Sequence, residues 1–430
     1  MGKNKNKVNL PFVVMVSLLV MTGMGLKAFD WPQWRGPNRE GVFTGASLNL
    51  DWTEKKPALL WTFRQAGAGY AAPTIVGTTL YCQGGADDDD FAFAMDTQTG
   101  NLKWKQTLGG LSVPERGDGP RGSVTVDGDR LYLVRGNGNF HCLSAADGKI
   151  LWQKDFEKDF GGKVMSRWGF SESPLIDGNH VICSPGGSEG TVIALNKHTG
   201  DVVWRTKELT DAASHSSPIV ADVDGIRQYI VFAAKNIAGI AAKDGKLLWS
   251  IAIEGEKVNA VIPTPVFIDN MLYVTNGYGF GCQCIKLTKD GDSVKAETIY
   301  KNRDLQNQHG GAVLMNGHIY GYSERPNDSW MCQHMKTGEI VWSQKGRDVE
   351  FGKGSMVAVN DRLLLLDMQT GSSALIAASP EGWQEFGRME IPERTKIVTQ
   401  DNHVWTHPVV AHDRLYIRDQ DLLFCFDMRK

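Results

Sequence analysis

An all-β ring of eight four-stranded blades, a β-propeller, is the fold the sequence predicts, and three observations carry the prediction. Five stretches end in Gly-x-x-x-Trp: GNLKW (100–104), GKILW (148–152), GDVVW (200–204), GKLLW (245–249) and GEIVW (338–342). The first four tryptophans stand 48, 52 and 45 residues apart, and the fifth follows after 93, two further periods. A fixed period of this length is the mark of a repeat architecture. Second, each repeat holds four short β-prone pieces separated by turn residues, which is one propeller blade. Third, the last copy, from THPVVAHDRLYIRD to the C-terminus, supplies only three pieces. Its missing fourth is ALLWTF at 58–63, with Trp61 in the tryptophan position. The N-terminal strand is therefore expected to complete the C-terminal blade, leaving no open ring end for another sheet to join.

The pieces follow one order. The first comes after a small residue or proline: APTIV, SPLID, SPIVA, TPVFI, HPVVA. Pairs such as Asp127-Gly128, Asp177-Gly178, Asp269-Asn270 and Asn316-Gly317 then suit two-residue hairpin turns. The second piece reads LYCQ, LYLV, VICS, LYVT, HIYG or LYIR. The third ends in Asp-x-x-Thr-Gly, a turn whose glycine can take positive φ. The fourth ends on the docking tryptophan: Trp104, Trp152, Trp204, Trp249 and Trp342, with Trp61 closing the ring. A degenerate copy lies around LTKDGDSVKAETIY, and a further one, LLLLDMQTGSSALIAAS, has Leu375 where tryptophan is expected.

Ahead of the ring the chain divides in two. Lys3, Lys5 and Lys7 precede an uncharged, mostly apolar run from Leu10 to Gly25, and LKA ending at Ala28 offers a cleavage site. Residues 1–28 thus read as an export signal, with a retained anchor as the alternative. The run is short for a membrane span, so none is expected once the signal is removed. The first cysteine is Cys82, which argues against an N-terminal lipid anchor. Residues 29–57 form an extension expected to pack on the ring through Trp31 and Trp34, and 58–430 form the propeller. With 46 basic and 49 acidic residues the charge is balanced, and no basic stripe suggests nucleic acid. A monomer is expected, in the periplasm or cell envelope.

Six of the seven cysteines stand where other blades carry Ala, Gly, Val or Leu. Cys142, Cys284, Cys332 and Cys425 match Ala94 in the third piece, and Cys82 and Cys183 match Leu133 in the second. Buried free thiols acting as small hydrophobes are the favoured reading, with a disulfide or a metal role as alternatives. Cys282 escapes this pattern.

Loops joining pieces two and three, and the connections between blades, emerge on one face and vary most in length; function on a rigid scaffold sits on such loops. Residues leading into the first pieces should ring the channel mouth there: Arg121, Trp168, Glu172, His215, Asn259, His309, Lys353, Trp405 and His407. This collar could hold an anionic or sugar-like ligand between Arg121 and Lys353, stacked on Trp168 or Trp405, or it could satisfy strand ends and water. His215, His309 and His407 lack any short-range metal-ligand spacing. DDDD at 87–90 lacks the alternating oxygen ligands of a calcium loop and reads as a solvated turn. Neither a Gly-x-Ser-x-Gly elbow nor a His-Glu-x-x-His motif is present. Catalytic residues are therefore not assigned.

The complete pattern Ala-x-Asp-x-x-Thr-Gly-x-x-x-Trp at 94–104 resembles the docking repeat of pyrroloquinoline quinone (PQQ) propellers, over roughly residues 58 to 428. WPQWRGPNREG at 31–41 resembles the segment that opens many exported PQQ-like repeat proteins of planctomycete-type bacteria. The wider WD40/YVTN-like superfamily shares the architecture. Two relatives imply different functions. Quinoprotein dehydrogenases bind PQQ with a divalent metal over the channel, against a disulfide of adjacent cysteines; here Gln283 separates Cys282 from Cys284, and no Cys-x-x-Cys-His haem motif exists. BamB, an outer-membrane assembly lipoprotein, binds a protein partner and no quinone. The favoured expectation is a non-catalytic scaffold binding an envelope protein or glycan, without a cofactor. The alternatives are a PQQ-dependent oxidoreductase with its site at the channel mouth and a carbohydrate-acting enzyme using Glu172 as acid.

Overall fold

In the computed structural model, which describes residues 30–45, 47–253, 258–324 and 326–430, eight four-stranded antiparallel blades surround a central channel. The segment read as an export signal lies outside the described residues. Blade 1 shows the plan: Thr74–Val76, Thr79–Ala86, Asp89–Asp96 and Leu102–Gly110, paired in sequence order. Blades 2 to 7 follow over 125–155, 175–205, 219–252, 266–302, 313–345 and 354–389. Asp269 and Asn270 both take positive φ, as a type I′ hairpin turn requires. Blade 8 has three strands, Val409–Ala411, Arg414–Asp419 and Leu422–Asp427, and its outer strand is Ala58–Phe63. Trp61 lies opposite Cys425, the same pairing as Trp104 with Ala94 and Trp152 with Cys142. The ring closes as the sequence predicts.

Neighbouring blades are joined by one repeated contact. The indole of one blade slides beneath the turn glycine of the next and donates to a carbonyl of that turn. Trp61 donates to Thr97 O at 2.9 Å, Trp104 to Ala145 O at 3.1 Å, Trp152 to Lys197 O at 3.1 Å and Trp204 to Ala242 O at 3.1 Å. A Cβ on Gly100 would lie 2.8 Å from the Trp61 ring, and one on Gly200 2.7 Å from Trp152. Glycine serves there twice, for its φ near +75° and for the room it leaves.

Three positions depart from the expected series. Trp249 donates to Gln228 Oε1 of its own blade at 2.7 Å. Blade 5 extends its last hairpin to Asp290 and Ser293, so its turn lies beyond the indole's reach. Tyr300, in the degenerate copy, takes the docking place under Gly338 and donates to Met335 O at 2.7 Å. Leu375, expected at the tryptophan position, lies instead in the third strand of blade 7, Ser373–Ala377, opposite Leu364. Its Asp-x-x-Thr-Gly turn joins the second and third strands. Asp367 Oδ1 accepts from the amides of Gln369 and Thr370 there, and that local chemistry works at either turn. The true fourth strand, Glu385–Met389, has Phe386 and Gly387 in a bulge across from Leu375. Trp52, fully buried, packs on this bulge from outside the repeats: a Cβ on Gly387 would meet its backbone at 2.7 Å, and its Nε1 donates to Asn49 O at 3.1 Å rather than to a turn of blade 8. Trp52 N donates to Phe386 O, and Asn49 N to Met428 O in the turn of blade 8.

Residues 30–45 run into the channel. Asp30 enters at the hairpin-turn face, where its Oδ1 meets Gly77 N at 2.8 Å and His412 Nε2 at 2.6 Å. Trp31 pairs with Ile75 of blade 1, and Pro32 O accepts from Val126 of blade 2. Arg39 donates to Ser173 O and Pro174 O of blade 3 and Pro218 O of blade 4. Trp34 Nε1 reaches Thr264 of blade 5 at 2.8 Å, and Arg35 Nη2 reaches Ala312 O of blade 6. Val42 and Phe43 then add a parallel strand to blade 7 and return to the hairpin-turn face. One short segment thus touches all eight blades. The seam between blades 8 and 1 is further tied by fully buried Arg418, which donates to the carbonyls of Ala71, Gln83, Gly67 and Gln420 at 2.8–3.0 Å.

All seven cysteines are buried and unpaired. Cys282 points its thiol at Asn302 Oδ1, 2.9 Å away. In the acidic turn Asp90 is not solvated: it is fully buried and pairs with Arg135 Nε at 2.9 Å.

Replacing Trp52 by alanine is expected to cost about 3–5 kcal/mol in denaturant unfolding, the range for a buried large aromatic. Gly77→Ala, at φ +58° with open space around it, should cost about 1 kcal/mol. Gly100→Ala should add about 1–3 kcal/mol of overpacking to that strain, and equal losses for the two glycine variants would contradict the docking role.

Candidate functional site

The inserted segment leaves one mouth of the channel open as a cavity of about 370 Å³, floored by Trp34. Every other lining residue comes from a connection between blades or from a loop between second and third strands, the face read from loop lengths. Seven of the nine collar residues line it: Arg121, Trp168, His215, Asn259, His309, Trp405 and His407.

Two do not. Glu172 is buried in the ring wall, where its Oε1 accepts from Ser184 N at 2.6 Å and its Oε2 has no hydrogen-bond partner. Burial pushes its pKa up to about 7, against the opposing pull of its hydrogen bonds with Ser184 and of Arg39. It sits one residue before the bonded Ser173, where side chains alternate away from the channel. Lys353 is engaged by Glu324 and Gln308, so its charge is already answered.

The walls are aromatic. Tyr70 lies 5.1 Å from Trp405, and Trp168 stacks on His215 at 5.5 Å and approaches Tyr278 at 6.5 Å. Beneath them Trp34 lies 4.7 Å from His407. The imidazoles are neutral, because burial outweighs every partner. His215 and His407 are lowered to about 3, His309 well below its usual value, and His403 in the same direction. Serine hydroxyls hold both nitrogens of His215, from Ser166 at 2.8 Å and Ser171 at 3.1 Å. Both ring nitrogens of His309 are buried without a partner.

Two guanidinium groups face the space. Arg116 pairs with Asp401 at 3.2 Å and lies over the Trp168 ring at 5.8 Å. Arg121 donates through Nη2 to Glu115 O at 2.6 Å and Gly117 O at 3.1 Å and lies 5.1 Å from the Tyr70 ring. Its Nε has no partner, and burial lowers its pKa only to about 10, so it stays charged. Among the described residues no cluster of three His, Cys, Asp or Glu side chains could hold a metal ion.

Tyr70, Arg116, Tyr278, Asp401 and His403 are site residues that the sequence reading missed. Tyr70 leads into the first strand of blade 1 in AGAGYAAP, so the rule that found the collar would have found it. Asp401 and His403 alternate with Trp405 in DNHVW. Tyr278 sits in a loop between second and third strands and carried no signal beyond that.

The family profile described as outer membrane protein assembly factor BamB matches residues 94–344. The chain therefore belongs to that family of PQQ-like propellers. It is 25% identical over 350 residues to the outer membrane protein assembly factor BamB of Yersinia pestis, covering 77% of this chain and 79% of that protein. Among solved structures, BamB from Moraxella catarrhalis superposes with a TM-score of 0.57 at 15% identity, over 86% of this chain and 98% of that one. Quinohemoprotein alcohol dehydrogenase from Comamonas testosteroni superposes at 0.63 and 12% identity, over 92% and 80%. At these identities the structures establish the fold alone. Among the described residues no helix is long and apolar enough to cross a membrane.

The depressed imidazoles make stability pH-dependent. Between about pH 6.5 and 3 the unfolded chain binds protons at His215 and His407 that the folded chain refuses, so stability is complete above 6.5 and falls with acidification. Each such group steepens the fall by about 1.4 kcal/mol per pH unit. Glu172 opposes this between its usual value and about 7, but it is one group against several. Urea titrations should show the loss from pH 6.5 to 4, with a shallower slope in His215→Asn; a flat profile would contradict the burial argument.

Proposed function

We propose that this member of the BamB family is a non-catalytic binding protein of the bacterial cell envelope, a rigid ring that presents one ligand-binding face. The carrying observation is the chemistry of the cavity. Its imidazoles are neutral and among the described residues hydrogen-bond to no carboxylate, its single carboxylate is paired with Arg116, and the thiols are buried. Among the described residues that line the cavity, no acid and base are driven apart in the way acid–base catalysis requires. What remains is an aromatic pocket with a few placed polar groups, the usual composition of a binding site. Export to the envelope, a protein or glycan partner and a monomeric state belong to this reading; the BamB relatives support its envelope setting.

PQQ with a divalent metal fits these residues poorly. A hard divalent cation is held chiefly by carboxylate oxygens, and the cavity offers one carboxylate, Asp401, already paired with Arg116. The adjacent-cysteine disulfide of the quinoprotein dehydrogenases also has no counterpart, because Cys282 and Cys284 are separated and unpaired. The likeness to an alcohol dehydrogenase is a likeness of fold, on which function does not follow.

Melting the mature protein with PQQ, with and without calcium, should give no shift. A ligand at a hundred times its Kd would stabilise the fold by about 2.7 kcal/mol. A calcium-dependent rise would replace this reading with the oxidoreductase one.

A further inference from the structure

We infer that the channel-mouth cavity takes a pyranose unit bearing one anionic group, with its ring on the aromatic wall and its charge on Arg121. This deepens the binding reading above and rests on it.

Trp34 floors the space, and Tyr70, Trp168, Tyr278 and Trp405 stand around it. A pyranose has an apolar C–H face and a polar rim. It buries the face against an indole or phenol ring while its hydroxyls reach the neutral donors and acceptors between the rings. Asn259, Ser171, Ser217 and Gln308 line the space and supply such groups. The closed floor admits one end of a chain and does not let a chain thread through the ring.

The charge follows from counting what faces the space. Arg116 and Asp401 cancel at 3.2 Å. Lys353 is held by Glu324, and Glu172 lies in the wall. Among the described lining residues Arg121 alone is left, a half-buried guanidinium without a salt bridge, on which Asp118 acts only through space. A partly desolvated charge without a salt bridge is costly, and an anion that pairs with it recovers part of that cost on binding. One positive charge beside aromatic faces selects a singly acidic sugar over both a neutral one and a polyanion. A carboxylate (a uronate) and a sulfate ester share this chemistry.

Calorimetric titration of the mature protein with a galactotriose ending in a single galacturonate, a mono-sulfated galactotriose and neutral galactotriose tests it. At least one acidic trisaccharide should bind at least tenfold more tightly than the neutral one, and which of them does so identifies the acidic group. Arg121→Gln should erase the difference, Arg121→Lys should restore part of it, and Trp405→Ala should weaken every sugar. Equal binding of acidic and neutral sugars overturns the inference and leaves the binding site standing, provided Trp405→Ala abolishes both. Acidic binding that survives Trp405→Ala and Trp168→Ala places the ligand elsewhere and overturns inference and site together. No binding by any of the three overturns the inference. If Arg121→Gln fails to fold, the wild-type comparison and the two tryptophan variants decide.

Discussion

The ring depends on one contact, the indole of each outer strand lodged under the turn glycine of the next blade. It combines a large buried apolar face with one hydrogen bond to a carbonyl that has no strand partner, so it fixes both distance and rotation between blades. Where the contact is altered, the structure shows what it supplies. Tyr300 reproduces it with a phenol, and Trp249 turns inward to Gln228 because the neighbouring turn has moved away. At blade 7 the bulge at Gly387 offers no side chain, and Trp52 arrives from the N-terminal segment to pack on it. The apolar cluster around that seam spans blades 7, 8 and 1 together with Trp31, Phe43, Leu48 and Trp52.

The same segment decides what the channel can be. Residues 30–45 bond to the innermost strands or their leading residues in blades 1 to 7, mostly through backbone carbonyls that would otherwise face an unfilled axis, and to the hairpin turn of blade 8 through His412. Buried polar groups need partners, and Arg35 and Arg39 provide them across the ring. The channel is consequently closed below the cavity. Eight blades that would each have a free inner edge are held by a single length of chain.

Burial sets the electrostatics of the open mouth. It removes the charge of the imidazoles and leaves that of the guanidiniums, whose usual pKa is too high for the same burial to discharge them. Of the five cationic side chains that the collar carries in sequence, Arg121 alone keeps an unanswered charge at the mouth, because burial neutralises the three histidines and Glu324 pairs with Lys353; Arg116 joins it there, already paired with Asp401. The collar is closer to an aromatic box with a single charge than to the basic rim its residue types suggest.

Blade number, strand order and the closure through Ala58–Phe63 were legible in the sequence, because spacing and turn chemistry are local and repeat eight times. Seven of nine collar residues were legible for the same reason: their place before a first strand fixes the end of the ring they occupy. Leu375 was misplaced because an Asp-x-x-Thr-Gly turn satisfies its own backbone wherever it stands. Glu172 and Lys353 could not be assigned by position, since a one-residue alternation turns a side chain into the wall and a neighbouring carboxylate cancels a charge. The course of WPQWRGPNREG through the axis, and Trp52 packing on the bulge where blade 7 lacks an indole, were decided only by tertiary structure. Both are long-range packings that satisfy groups hundreds of residues away, and no local pattern encodes them.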